Sequence, residues 1–263
     1  MQLIVQGYPA YAYTGGRPFD PSLPAIVFVH GAAFDHSVWQ WQSRYFAHHG
    51  YCVLAPDLPA HGRSPGPTRE TIAGLADWVA ALIDSASLAR AAVVGHSMGS
   101  LVALDTALRH SKRVSRLALI GAASPMPVGE PFIAAAADDS PAAYDMESVW
   151  GLARAAPLEQ SPVPGMSLLG SSRGLNGRSR KGVLHADLRA CHAYAAPAEA
   201  LGALAFPTLV LGGRRDQMTP FKAGKALADS IPGARFELLD AGHSMMSEAP
   251  RQTLDALRRF LST

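Results

Sequence analysis

The pentad Gly95-His96-Ser97-Met98-Gly99 sets a serine between two glycines, directly after the apolar run Ala91-Ala-Val-Val94 and directly before a helical pattern over 100–110. In that context G-x-S-x-G has a steric meaning. Glycines lack Cβ atoms, so a strand and a helix can close around a sharp turn that holds the Ser97 hydroxyl clear of the sheet. A neutral hydroxyl is a poor nucleophile. The chemistry served by such a turn, acyl transfer through a covalent serine intermediate, needs three further groups: a base for the proton, a carboxylate to orient the base, and N–H donors for the oxyanion. The chain offers 10 histidines and 21 acidic residues from which to draw them.

These groups have to be held by regular elements. The run Ala25-Ile-Val-Phe-Val29 has no polar alternation, which is how a strand buried on both faces reads. Similar runs follow at 52–55, 91–94, 117–120, 208–211 and 235–239, separated by helical periodicity at 38–48, 70–85, 101–110, 221–230 and 252–261. Strand and helix in alternation imply right-handed crossovers and a mostly parallel sheet covered on both faces, an α/β domain. Two short alternating runs, 2–6 and 10–13, precede the Gly15-Gly16 turn and read as an antiparallel pair at a sheet edge. Between Ser124 and Leu204 the alternation stops, and the segment offers helices but no convincing strand. It is expected to be a helical cap over 125–204, inserted into a core of 1–124 and 205–263. Such a cap overhangs the edge where open α/β sheets bind ligands.

Four more segments, together with the pentad, resemble the α/β-hydrolase superfamily over essentially the whole chain outside the cap. His30-Gly31-Ala32-Ala33 follows a buried strand, and Pro56-Asp57-Leu58-Pro59-Ala60-His61-Gly62-Arg63-Ser64 resembles the family's D-x-P-G-x-G-x-S turn. Asp216 follows the strand ending near Gly212, and Gly242-His243 follows the last strand. The resemblance implies an α/β-hydrolase fold, a mostly parallel twisted sheet with helices on both faces and an inserted helical cap. It also implies a triad in the order Ser97, Asp216, His243, with an oxyanion hole from the backbone N–H groups of Ala32 and Met98.

The other histidines have plainer readings. His30 and His96 sit at strand ends as packing or hydrogen-bonding residues, while His48, His49 and His110 belong to helix ends and should be solvated. Only His243 follows the last strand in a glycine-bearing loop. Asp240 competes with Asp216 for the orienting role. Three residues from His243 on the same loop, it is expected to brace the turn, since the imidazole must be gripped from a different strand end.

Composition narrows what such a protein could act on. With 48% hydrophobic and 17% charged residues the chain can bury a large core, which excludes a disordered protein. Lys plus Arg number 23 against 21 acids, with no long basic block, so nucleic acid is not an expected partner. No apolar stretch is long enough to span a bilayer, and Cys52 and Cys191 lack disulfide or zinc spacing; a cytoplasmic, membrane-free setting is expected. No cofactor or metal is required. Met126, Trp150, Met166, Met218 and Met245 are the expected pocket residues, and Arg173, Arg178, Arg180 and Lys181 are read as a solvated loop. The expected activity is cleavage of small or medium carboxylic esters through an acyl-enzyme. A lactonase, a C–C bond hydrolase or a slow ligand receptor of the same fold are the alternatives, and no oligomeric state is set by the sequence.

Overall fold

The computed structural model describes residues 1–153, 161 and 164–262. Its strands are β1 (Gln2–Val5), β2 (Tyr8–Tyr13), β3 (Ala25–Val29), β4 (Cys52–Pro56), β5 (Ala91–His96), β6 (Val114–Ile120), β7 (Thr208–Gly213) and β8 (Arg235–Leu239). They form one sheet in the order β1-β2-β4-β3-β5-β6-β7-β8. β1 and β2 pair antiparallel at the edge, β2 joins β4 antiparallel, and every later pairing is parallel.

The unbroken apolar strands follow from burial on both sides. Successive side chains point to opposite faces, so one run must feed two cores. Val27 and Val29 of β3, Val93 of β5 and Leu117 and Leu119 of β6 face one core; Ile26, Phe28, Val94, Ala118 and Ile120 face the other. Helices α1 (Gln40–Ala47), α2 (Ile72–Ser85) and α3 (Met98–Arg109) precede the cap region. Between β6 and β7 come α4 (Glu130–Ala137), α5 (Pro141–Trp150), α6 (Leu168–Asn176), α7 (Val183–Ala193) and α8 (Ala198–Gly202), and no strand among the described residues. The chain ends with α9 (Phe221–Asp229), α10 (Met245–Glu248) and α11 (Pro250–Leu261). α11 is strongly amphipathic: Ala256, Leu257, Phe260 and Leu261 face the second core, where Trp39 and Phe46 also lie. No helix among the described residues is long and apolar enough to cross a membrane.

Two boundaries differ from the sequence reading. The helix expected over 38–48 begins as a 3-10 turn, His36–Trp39, capped by the Asp35 side chain, before α1 takes over. The helix expected from residue 101 begins at Met98, because Ser97, at φ 53° and ψ −122°, turns the chain at once. Gly99 therefore lies inside the first helical turn. A Cβ there would meet the carbonyl of Val29, and one at Gly95 would meet the carbonyl of Gly99, so the close approach of strand and helix depends on both.

The cationic stretch in the cap is open to solvent, as expected, but three of its side chains are held by partners. Arg173 lies in α6 and pairs with Asp145; Arg178 reaches Asp35 at 2.9 Å, and Arg180 donates to the carbonyls of Ser64 at 3.1 Å and Gly62 at 3.2 Å. Long guanidinium side chains reach carbonyls of the 57–64 turn that sequence neighbours cannot, and so fasten the cap to the core.

Candidate active site

Ser97 sits at the β5–α3 junction in a left-handed backbone conformation, with its N–H donated to the Ile120 carbonyl at 2.9 Å and its carbonyl accepting from the Ser100 amide at 2.8 Å. A non-glycine residue at positive φ carries strain that only a well-anchored turn sustains. Ser97 is half-buried and lines a cavity of about 220 Å³. Met98, the residue after it, opens α3, where backbone N–H groups lack an intrahelical acceptor.

Across the sheet edge, His243 Nδ1 and Asp216 Oδ2 are 2.8 Å apart, both side chains closed to solvent. The carboxylate is saturated with donors. Thr219 gives its hydroxyl to Oδ2 and its amide to Oδ1, each at 2.8 Å, and the Met218 amide reaches Oδ1 at 2.9 Å. With Nδ1–H spent on Asp216, the lone pair of a neutral His243 is on Nε2, and Nε2 is buried without a hydrogen-bond partner. Burial opposes charge on both groups and is outweighed on both: Asp216 chiefly raises the His243 pKa above 6.5, while His243 and Thr219 hold Asp216 below the usual carboxylate range.

Asp240 takes no part in this pair. It is largely exposed and pairs with Arg215 at 3.3 Å. Gly121, just past β6, packs against the imidazole: a Cβ there would lie 3.0 Å from His243 Cε1. Behind Ser97, His96 donates Nε2–H to the His243 carbonyl at 3.0 Å, tying the backbone of His243 to the residue next to Ser97. Burial, with His243 adding to it, pulls the His96 pKa down to about 3, so it stays neutral. His30, lowered to about 4 by burial and by His61, donates to the Gly31 carbonyl and accepts the Leu58 amide.

Ala32 lines the same cavity as Ser97. Its neighbour Ala33, at φ 56°, gives its amide to Oδ2 of Asp187 in cap helix α7 at 2.9 Å, and the same oxygen lies 2.8 Å from His61 Nε2. Of the five expected pocket residues, Met126, Trp150 and Met218 line the cavity and two do not. Met245 is completely buried in the second core, where it opens α10 beside Met246. Met166 lines a separate cavity of about 330 Å³ between α6 and the Phe34–Gln40 region. Sequence reasoning missed Thr219, Asp187 and Glu147, the last a buried acid in α5 on the wall of the Ser97 cavity. Thr219 had a signal: it stands three residues after Asp216, the spacing of a side-chain turn.

One group of metal-ligand type exists among the described residues. Asp35, His36 and Asp57 bring one atom each to within 4.8 Å of one another. Local hydrogen bonds already occupy them: Asp57 accepts from the amide and ring of His36 and from the Arg63 amide, and Asp35 from Ser37 and Arg178.

A family model described as alpha/beta hydrolase fold matches residues 24–250. The pimeloyl-[acyl-carrier protein] methyl ester esterase of Chromobacterium violaceum is 32% identical over 256 residues, covering 91% of this chain and 95% of that one. Among solved structures, the enol-lactonase from Burkholderia xenovorans LB400 superimposes with a TM-score of 0.86 over 100% of both chains at 26% identity. Est816, described as an N-acyl homoserine lactone degrading enzyme, gives 0.84 over 99% of this chain and 100% of its own, also at 26%.

Proposed function

The chain belongs to the alpha/beta hydrolase family and is a hydrolase, and on that premise we propose that it cleaves small or medium carboxylic esters through an acyl-enzyme. One observation carries the reading: a strained, cavity-lining Ser97 shares its sheet edge with a buried His243–Asp216 pair whose Nε2 is uncommitted. Nε2 takes the proton of the Ser97 hydroxyl as Oγ attacks the ester carbonyl. Asp216 fixes the Nδ1–H tautomer and offsets the positive charge then on the ring. The N–H groups of Ala32 and Met98 receive the oxyanion, each worth about 2.7–4 kcal/mol in the transition state. His243 returns the proton to the departing alkoxide, and the same steps with water as nucleophile release the acid.

The cavity supports a neutral or polar small molecule. Met126, Phe132, Trp150, Leu188 and Met218 supply apolar wall, and no Lys or Arg is among its described lining residues. Carboxylated diketones, the substrates of a C–C hydrolase, would meet no cation there. Lactones are the second substrate class, favoured by the likeness to the enol-lactonase; the steps are the same except that the leaving alkoxide stays tethered to the acyl group. Buried, unpaired Cys52 and Cys191 support a cytoplasmic setting.

Fluorophosphonate labelling with intact-protein and peptide mass spectrometry tests the nucleophile. The expected adduct is on Ser97, with Ser97→Ala losing both label and ester turnover. An adduct elsewhere, or turnover retained by Ser97→Ala, overturns the assignment.

A further inference from the structure

Glu147 is the one acidic residue among the described residues that line the Ser97 cavity, and its environment is unusual for a carboxyl group. It belongs to cap helix α5, is only 4% exposed, and its Oε2 is buried with no hydrogen-bond partner. A buried polar atom without a partner costs free energy that a fold normally avoids, and here the atom belongs to a residue on the wall of the substrate cavity. On that wall Met126, Phe132 and Leu188 cannot serve as partners; Ser97, Gln217 and Thr219 are its other polar members.

We propose that Glu147 is a recognition site for a neutral hydroxyl carried by the substrate of the serine hydrolase reaction. The inference rests on the reading of this cavity as the substrate pocket. A hydroxyl is the group that suits the carboxyl in either state, accepting from the acid and donating to the carboxylate. Burial pushes the Glu147 pKa up to about 7, with His243 pulling it down and Asp187 pushing it up, so both states are populated near neutrality. A substrate carboxylate would be repelled by the ionised form. An ammonium group would require it, in a pocket with no second acid among its described lining residues. A site holding an unsatisfied polar atom discriminates strongly against the analogue that leaves it unsatisfied, because the deoxy compound closes the pocket over the same unpaired atom.

The test is a matched series of p-nitrophenyl esters of short acids, each parent compared with derivatives in which one hydroxyl is moved carbon by carbon along the chain. The readout is the ratio of kcat/KM for hydroxylated over parent ester within one enzyme, so that differences in folded fraction cancel. For at least one position the wild-type ratio should be about tenfold or more. Glu147→Gln, whose amide also donates and accepts, should keep most of that preference, and Glu147→Met should bring the ratio to about one. A wild-type ratio near one at every position, or a preference that survives Glu147→Met, overturns the proposal. So does a preference for an amino-substituted ester over the hydroxylated one that Glu147→Gln removes. Calorimetric binding of the same pairs to Ser97→Ala needs no turnover. A hydroxyl preference there, with no ester cleaved by wild type, would remove the esterase reading and leave the Glu147 site standing.

Discussion

His243 with Asp216 and His61 with Asp187 are the same two groups at the same 2.8 Å, and all four side chains are closed to solvent. In both pairs burial opposes the imidazolium and the carboxylate outweighs it, so both histidines have raised pKa values. The difference is on the far nitrogen. His61 Nδ1 lies 2.9 Å from the Pro59 carbonyl, an oxygen that can only accept, so both ring nitrogens face acceptors and the charged ring is the form the site holds. His243 Nε2 faces none. A carboxylate beside a histidine therefore does not make a base. An uncommitted second nitrogen does, and a committed one makes a fastener, here between the 57–64 turn and the cap.

Breaking the working pair should give the largest effect. Asp216→Asn is expected to lower kcat by about 10⁴-fold, as removal of an orienting carboxylate does elsewhere, while Asp240→Asn stays near wild type; steady-state kinetics on one ester decide it, and equal losses would move the acid to Asp240. Breaking the fastening pair should act on stability. His61→Gln leaves Asp187 buried without its charged partner and is expected to cost about 3–5 kcal/mol in denaturant unfolding, and a midpoint unchanged from wild type would contradict the imidazolium assignment.

The two pairs also respond to pH in opposite directions. As the proposed base, His243 would work only when neutral, so kcat/KM should fall as pH drops through a value above 6.5, by about tenfold per unit below it. His61 contributes to stability when charged. Its folded pKa is raised above the unfolded value, so that contribution is complete below the unfolded pKa and is lost as pH rises through the folded one. The gap in unfolding free energy between wild type and His61→Gln should narrow as pH rises above the ordinary imidazole value of 6.5, and a widening gap would reverse the sign of the argument. The smallest effect belongs to the exposed version of the same fastening: Arg178→Met should cost about 0–1 kcal/mol, measured by thermal unfolding, because its ion pair with Asp35 is open to water at the arginine end.

Most of the sheet was legible in the sequence because each strand is its own signal. The run 25–29 is apolar throughout since it feeds two cores, and the pentad at 95–99 lies at a strand-to-helix junction whose glycines have steric work to do. What escaped notice are contacts between the cap and the core. Asp187 lies in α7 among residues that suggest an ordinary helix, and nothing near it in the chain announces that Ala33 and His61 converge on one of its oxygens. Arg178 and Arg180 are exposed as expected, and the core partners they reach went unread for the same reason. Glu147 left a trace: it falls four residues after the buried Ala143 and beside the buried Ser148, on the inward stripe of α5, where an acid is out of place. Met245 misled because proximity in sequence to His243 says nothing about direction: it opens α10, whose two methionines go to the second core.

Asp187 gives the cap a role that wall residues do not have. Its carboxylate holds the amide of Ala33, beside the Ala32 amide proposed to receive the oxyanion, so the position of α7 and the shape of that loop are thermodynamically linked. Linkage is reciprocal: a transition-state mimic that orders the loop must tighten the cap by the same free energy by which the docked cap improves binding of the mimic. For anyone grafting a cap from one hydrolase onto another, the lid is then part of the catalytic chassis. An incoming helix that brings no acceptor to the Ala33 amide leaves a buried donor unpaired beside the reaction centre, and the chimera would lose turnover on every substrate, including those its new pocket fits.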